Sequence, residues 1–110
     1  MRAGLLSVAL LVMFVATAAA QDSKIATGQK VYADQKCGMC HSIADKGNKK
    51  GPLDGVGGKL STADIRLWMT DAKAMAEKTR ATRKPDMKSY ALPKDDLDAI
   101  VAYMTSLKKN

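Results

Sequence analysis

Cys37-Gly38-Met39-Cys40-His41 is the stretch on which the reading of this chain turns. Its two thiols are three positions apart, so on a helical turn they face the same side. His41 follows the second thiol directly. C-x-x-C-H is the pattern of covalent c-type haem attachment. Each thiol adds to one vinyl group, and the histidine stands beneath the iron as proximal ligand. The rival readings explain less. A thioredoxin-type C-x-x-C belongs with a βαβ pattern, and none is visible. Structural zinc takes four Cys or His ligands, whereas the whole chain holds two cysteines and one histidine. A plain disulfide would leave His41 without a role.

The N-terminus fits export. Arg2 is a short positive start, Leu5 to Val15 is apolar apart from Ser7, and Ala18-Ala19-Ala20 offers small residues for cleavage before Gln21. Residues 1–20 therefore read as a signal peptide that is removed, and 21–110 as a single domain. An uncleaved anchor is the alternative, but a span needs about 20 predominantly apolar residues, and this stretch ends in alanines and a threonine. The expected location is the periplasm. A chain this short buries a limited core. Past the leader its aromatics are Tyr32, Trp68, Tyr90 and Tyr103. A buried haem would supply the apolar mass that they do not.

Hydrophobic periodicity points to helices. Lys24 to about Gln35 carries Ile25, Gly28, Val31 and Tyr32 on one face. Ala44 to Leu60 holds five glycines, Gly47, Gly51, Gly55, Gly57 and Gly58, together with Pro52, and reads as loop. Ser61-Thr62-Ala63-Asp64 resembles a capping box that opens a helix to about Ala72, with a further short turn to Lys78. Thr79 to Leu92 reads as loop. Pro93 suits a helix start, and Asp95, Asp96 and Asp98 favour the positive end of its dipole. Leu97, Ile100, Val101, Met104 and Leu107 then recur on one face. No strand alternation is visible. Gly55-Val56-Gly57-Gly58 lacks the strand and the G-K-[ST] ending of a phosphate loop.

With these elements in place the chain resembles a small monohaem class I cytochrome c over nearly all of residues 21–110. The resemblance implies an all-α fold, three to four helices wrapped around one covalently bound haem, with the first and last helices crossing. Gly28 and Tyr32 match the family's crossing pair on the first helix, and Ile100 and Tyr103 that on the last. Gly51-Pro52-Leu53 resembles the loop whose proline carbonyl accepts a hydrogen bond from the proximal histidine, which gives Pro52 the task of orienting His41. Trp68 resembles the tryptophan that packs on the haem and donates to a propionate. Lys59 matches the place of an arginine near a propionate, although lysine is only a point charge there.

The sixth iron ligand is the open choice. Thioether sulfur is the usual partner of His in cytochromes c. Met39 is inside the attachment motif, Met69 follows Trp68 in a helix, and Met104 is on the apolar face of the last helix. Met75 is the main competitor. Met87 occupies the loop before the last helix, where the family places its ligand, and Tyr90 resembles the aromatic that follows it. Many relatives have proline directly after this methionine. Here Lys88 stands there and Pro85 precedes it, so Lys84 and Lys88 are candidates to displace the sulfur at high pH.

The formal charge is +7, with Arg2 alone of the basic residues in the leader. Lys78, Arg80, Arg83, Lys84 and Lys88 cluster around Met87. Such a patch would steer redox partner proteins with acidic docking faces. Nucleic acid is not an expected partner of an exported chain, and a membrane is expected only through partner complexes. The function the resemblance implies is one-electron transfer by haem c with His/Met ligation, not enzymatic catalysis. The alternatives are an open-site haem enzyme or gas-binding protein, which needs a vacant sixth position, and an electron-transfer subunit of a larger oxidoreductase.

Overall fold

The computed structural model describes residues 2–109, with side chains from residue 17 onward. Five α-helices appear among the described residues: α1 (Arg2–Asp34), α2 (Val56–Lys59), α3 (Thr62–Thr70), α4 (Ala72–Thr79) and α5 (Lys94–Ser106). The expected all-α architecture is therefore present. A 3-10 turn, Cys37–Met39, follows α1, and two short strands, β1 (Ser42–Ile43) and β2 (Lys46–Gly47), form an antiparallel hairpin.

The first helix is longer than the expected Lys24–Gln35. No proline and no glycine occur between Leu5 and Thr27, so nothing local stops the helix short of the leader. The leader expected over residues 1–20 lies mostly outside the residues whose side chains are described. Among the described residues no helix is long and apolar enough to cross a membrane. Just past the end of α1, Lys36 takes the left-handed conformation (φ 56°) and turns the chain into the 3-10 segment.

Two differences fall in the region read as loop. Ser42 pairs with Gly47 and Ile43 with Lys46 across a two-residue turn, Ala44-Asp45. Both turn residues have positive φ, 50° and 65°, the geometry that matches the twist of a tight hairpin. Strands of two residues are too short for any alternation to show. Gly55 at φ 79° then starts the single turn α2.

The capping signals act where they were read. Ser61 Oγ accepts from the Asp64 amide at 3.1 Å. The helix that follows breaks at Asp71, whose carboxylate accepts from the Ala74 amide and so starts α4 as a separate helix. Asp95 and Asp96 occupy the first turn of α5.

The crossing of α1 and α5 frames the core. Gly28 lies directly on α5: a Cβ there would collide with the Ala99 carbonyl and stand 2.7 Å from Tyr103 Cβ. The Tyr32 and Tyr103 rings meet edge to face, with centroids 6.0 Å apart at 85°. Around this crossing are two buried clusters, Val31, Met69 and Ile100 on one side, and Ile65, Val101 and Met104 on the other. Because Ala99 meets Gly28 through backbone, α5 must move to admit a side chain. Gly28→Ala is expected to destabilise the haem-loaded protein by about 1–3 kcal/mol, the usual cost of overpacking. A thermal melt followed by circular dichroism checks this.

Asp98 ties α3 to α5, pairing with Arg66 at 2.7 Å and with Lys94 at 2.6 Å. The Lys94 hydrogen bond first, and Arg66 next, hold its carboxyl down to about 2. The tie is complete above the ordinary carboxylate value of 3.8 and fades as pH falls through about 2.

Candidate haem site

The attachment motif is held as a turn by its own backbone. The amides of Cys40 and His41 both donate to the Cys37 carbonyl, at 3.1 and 2.9 Å. Asn48 then fastens the turn from outside. Its amide N–H reaches the carbonyls of Gly38 and His41, at 3.0 and 2.9 Å, and its side chain donates to the Met39 carbonyl at 3.1 Å. Nothing in the residue type of Asn48 announces this role, because it depends on the hairpin folding β2 over the motif. Cys37 is partly buried and Cys40 exposed, and no disulfide joins them. Burial pushes the Cys37 thiol up.

His41 Nδ1 meets the Gly51 carbonyl at 3.0 Å. A carbonyl only accepts, so Nδ1 carries the proton and Nε2 keeps the lone pair that a metal needs. This corrects the expectation for Pro52: the carbonyl that orients His41 belongs to the residue before it. Ser42 explains the shift. Its amide donates to the Gly51 carbonyl at 3.1 Å and its own carbonyl accepts from the Leu53 amide at 2.8 Å. That bridge brackets Pro52, which has no N–H to give, and turns Gly51 inward. Burial is the main influence lowering the His41 pKa. The Gly51 hydrogen bond opposes it, and the Arg83 guanidinium adds to it. The imidazole is thereby kept neutral, the ligating form.

The loop after α4 brings the other expected residues toward the motif. Arg80 ends α4 in the left-handed conformation (φ 56°). Two hydrogen bonds anchor the far end of the loop: Tyr90 N to the Met69 carbonyl at 2.7 Å, and Ala72 N to Ser89 Oγ at 2.9 Å. Met87 and Tyr90 pack on the cluster of Val31, Met69 and Ile100, and so does Cys37. The Tyr90 hydroxyl is raised by burial first and then by Cys37 and Cys40. Met75 is elsewhere, buried on α4 and outside both clusters. Met39 is 72% exposed. Lys84 is paired with Asp86 at 2.7 Å, whereas Lys88 Nζ lies 5.0 Å from the centre of the Tyr90 ring.

Trp68 is half-buried on α3 and belongs to neither apolar cluster. Lys59 is exposed at the end of α2. That helix docks on the end of α5, where Gly57 N donates to the Leu107 carbonyl at 2.8 Å. Neither residue is among those packed on the cluster that Cys37, Met87 and Tyr90 share. Tyr32 was assigned only to packing, yet its hydroxyl is a buried side-chain oxygen with no hydrogen-bond partner among the described residues. Burial, with Cys37 next, pushes it up to about 12.

Two thiols one turn apart and a histidine whose Nδ1 is held by a carbonyl, next to an apolar surface, fit a covalently held haem. The chain matches the family described as Cytochrome c over residues 25–108. It belongs to the cytochrome c family, and Cys37 and Cys40 fit the covalent attachment of haem c that the family carries. It is also similar to the cytochrome c oxidase subunit 2 of Alkalihalophilus pseudofirmus, 27% identical over 90 residues. That match takes in 74% of this chain and spans 25% of the relative's length. No solved structure gives a significant match.

Proposed function

We propose that the chain is an exported one-electron carrier that works in the periplasm, with its leader removed after about Ala20. The observation that supports this most is the shared cluster: Cys37, Met87 and Tyr90 pack on Val31, Met69 and Ile100 while His41 Nδ1 is occupied by Gly51. Bound through the two cysteines, haem c supplies a one-electron couple. His41 would hold the iron through Nε2, and Met87 would hold it through sulfur, a ligand that raises the reduction potential. Val31, Met69, Ile100 and Tyr90 keep water away. If His41 and Met87 both hold the iron, no position would remain for substrate or gas, and the chain would work as a carrier rather than an open-site enzyme.

Trp68 and Lys59 are proposed to face the propionates. Lys78, Arg80, Arg83 and Lys88 are all exposed in the stretch of chain around Met87, and such a basic rim would suit a redox partner with an acidic docking face. The similarity to an oxidase subunit favours a second reading, in which the chain serves as the electron-transfer part of a larger oxidoreductase. Both readings call for electrostatic docking. Electron transfer to an acidic redox protein is expected to slow by about tenfold or more when ionic strength rises from about 0.01 to 0.15 M, which shortens the Debye length from about 30 to 8 Å. Stopped-flow rates measure this, and rates independent of salt would overturn the docking face.

A further inference from the structure

Arg83 stands apart from the rest of the basic rim. Its guanidinium occupies the space where a Gly51 side chain would be: a Cβ on Gly51 would collide with Arg83 Nη1 and with the Cys40 carbonyl, and would lie 3.0 Å from Arg83 Cζ. Gly51 is the residue whose carbonyl takes the His41 proton. No carboxylate pairs with Arg83 among the described residues, whereas Lys84, its neighbour, is paired with Asp86. Arg83 also belongs to the loop that carries Met87, so its side chain crosses from the methionine loop to the histidine loop.

We propose that Arg83 is a positioning residue that raises the reduction potential of this cytochrome by seating its guanidinium on Gly51 beside the His41 hydrogen bond. Two effects act in the same direction. A fixed positive charge near the site disfavours the oxidised, more positive state. The same charge draws electron density from the Gly51 carbonyl, which weakens its pull on the His41 proton and makes the ligand less basic. A less basic imidazole supports ferric iron less well. Glycine at position 51 is required by the Cys40 carbonyl, which a Cβ would strike, and the space it leaves open is the space the guanidinium takes.

The inference rests on His41 ligation as proposed above, and its test separates the two. Haem-loaded wild type, Arg83→Ala, Arg83→Lys and Lys49→Ala are titrated against redox mediators while their spectra are recorded. Lys49 is exposed, two residues from Gly51, and its loss removes the same charge without the contact. Arg83→Ala is expected to lower the equilibrium constant for reduction about threefold, roughly half of the 59 mV that a tenfold change makes for one electron. Arg83→Lys is expected to recover part of the loss, because an ammonium keeps the charge but lacks the planar fork. Lys49→Ala is expected to change little. An unchanged potential in Arg83→Ala, or an equal fall in Lys49→Ala, overturns the assignment while the ligation stands. A wild-type spectrum without histidine ligation overturns both.

Discussion

Replacing Cys37 and Cys40 together with alanine is expected to leave a chain that holds no haem after denaturing extraction and does not fold cooperatively. The buried residues of the described chain are few, mostly medium-sized aliphatic and methionine side chains, and no aromatic ring is fully buried. The face formed by Val31, Met69 and Ile100 is covered by only partly buried residues, among them Cys37, Met87 and Tyr90. A domain this small stands near the lower limit of self-sufficiency. A ligand held at a thousand times its dissociation constant contributes about 4 kcal/mol to the folded state, and a covalent tether holds its ligand more strongly than that. Native stability totals about 5–15 kcal/mol. Loss of the tether therefore removes a large share of it, and far-ultraviolet circular dichroism of the double variant should show weak, gradual melting. A sharp transition like that of the haem-loaded protein would count against a haem-dependent core.

The second large effect is expected from Met87→Ala, measured beside Met75→Ala. The two methionines differ in what surrounds them. Met75 is 4% exposed in α4, so its truncation leaves a cavity and should cost about 2–5 kcal/mol. Met87 is only partly buried, and its loss should cost about 2 kcal/mol or less, the low end for methionine truncation. The spectra should reverse the order. Met87→Ala is expected to abolish the sulfur-to-ferric-iron band and to lower the potential, since thioether ligation is what raises it. Met75→Ala is expected to keep the band while melting earlier. A band that survives in Met87→Ala and disappears in Met75→Ala would move the ligand to α4.

Much of this site was legible because its chemistry is written in residue types that have few other uses. Cys37, Cys40 and a single histidine leave little choice of cofactor, and the period of Leu97, Ile100, Val101 and Met104 marks the inner face of α5. Gly28 could be placed on the crossing through the family resemblance, and the physical reason for it is that close helix approach needs a missing side chain. The departures share a different origin. The hairpin at Ser42–Gly47 depends on two left-handed residues, Ala44 and Asp45, neither of them the glycine that would signal such a turn. The acceptor for His41 shifted from Pro52 to Gly51 because the Ser42 bridge sets the register of that loop, and a register is a pairing between distant residues. The break between α3 and α4 turns on Asp71 capping a second helix, which competes on nearly equal terms with continuing the first. Asn48, bonded to the backbone of the motif, and Arg83, whose guanidinium lies on Gly51, make contacts that leave no local pattern.

The most direct measurement is the absorption spectrum of the oxidised, haem-loaded protein prepared as residues 21–110, recorded before and after addition of a small exogenous ligand such as imidazole or cyanide. A low-spin spectrum with a methionine-to-iron band, little changed by the added ligand at modest concentration, is the predicted result for an iron closed by His41 and Met87. A high-spin spectrum that shifts at once on adding the ligand would contradict it, showing an open sixth position and a protein built to bind or react at the metal.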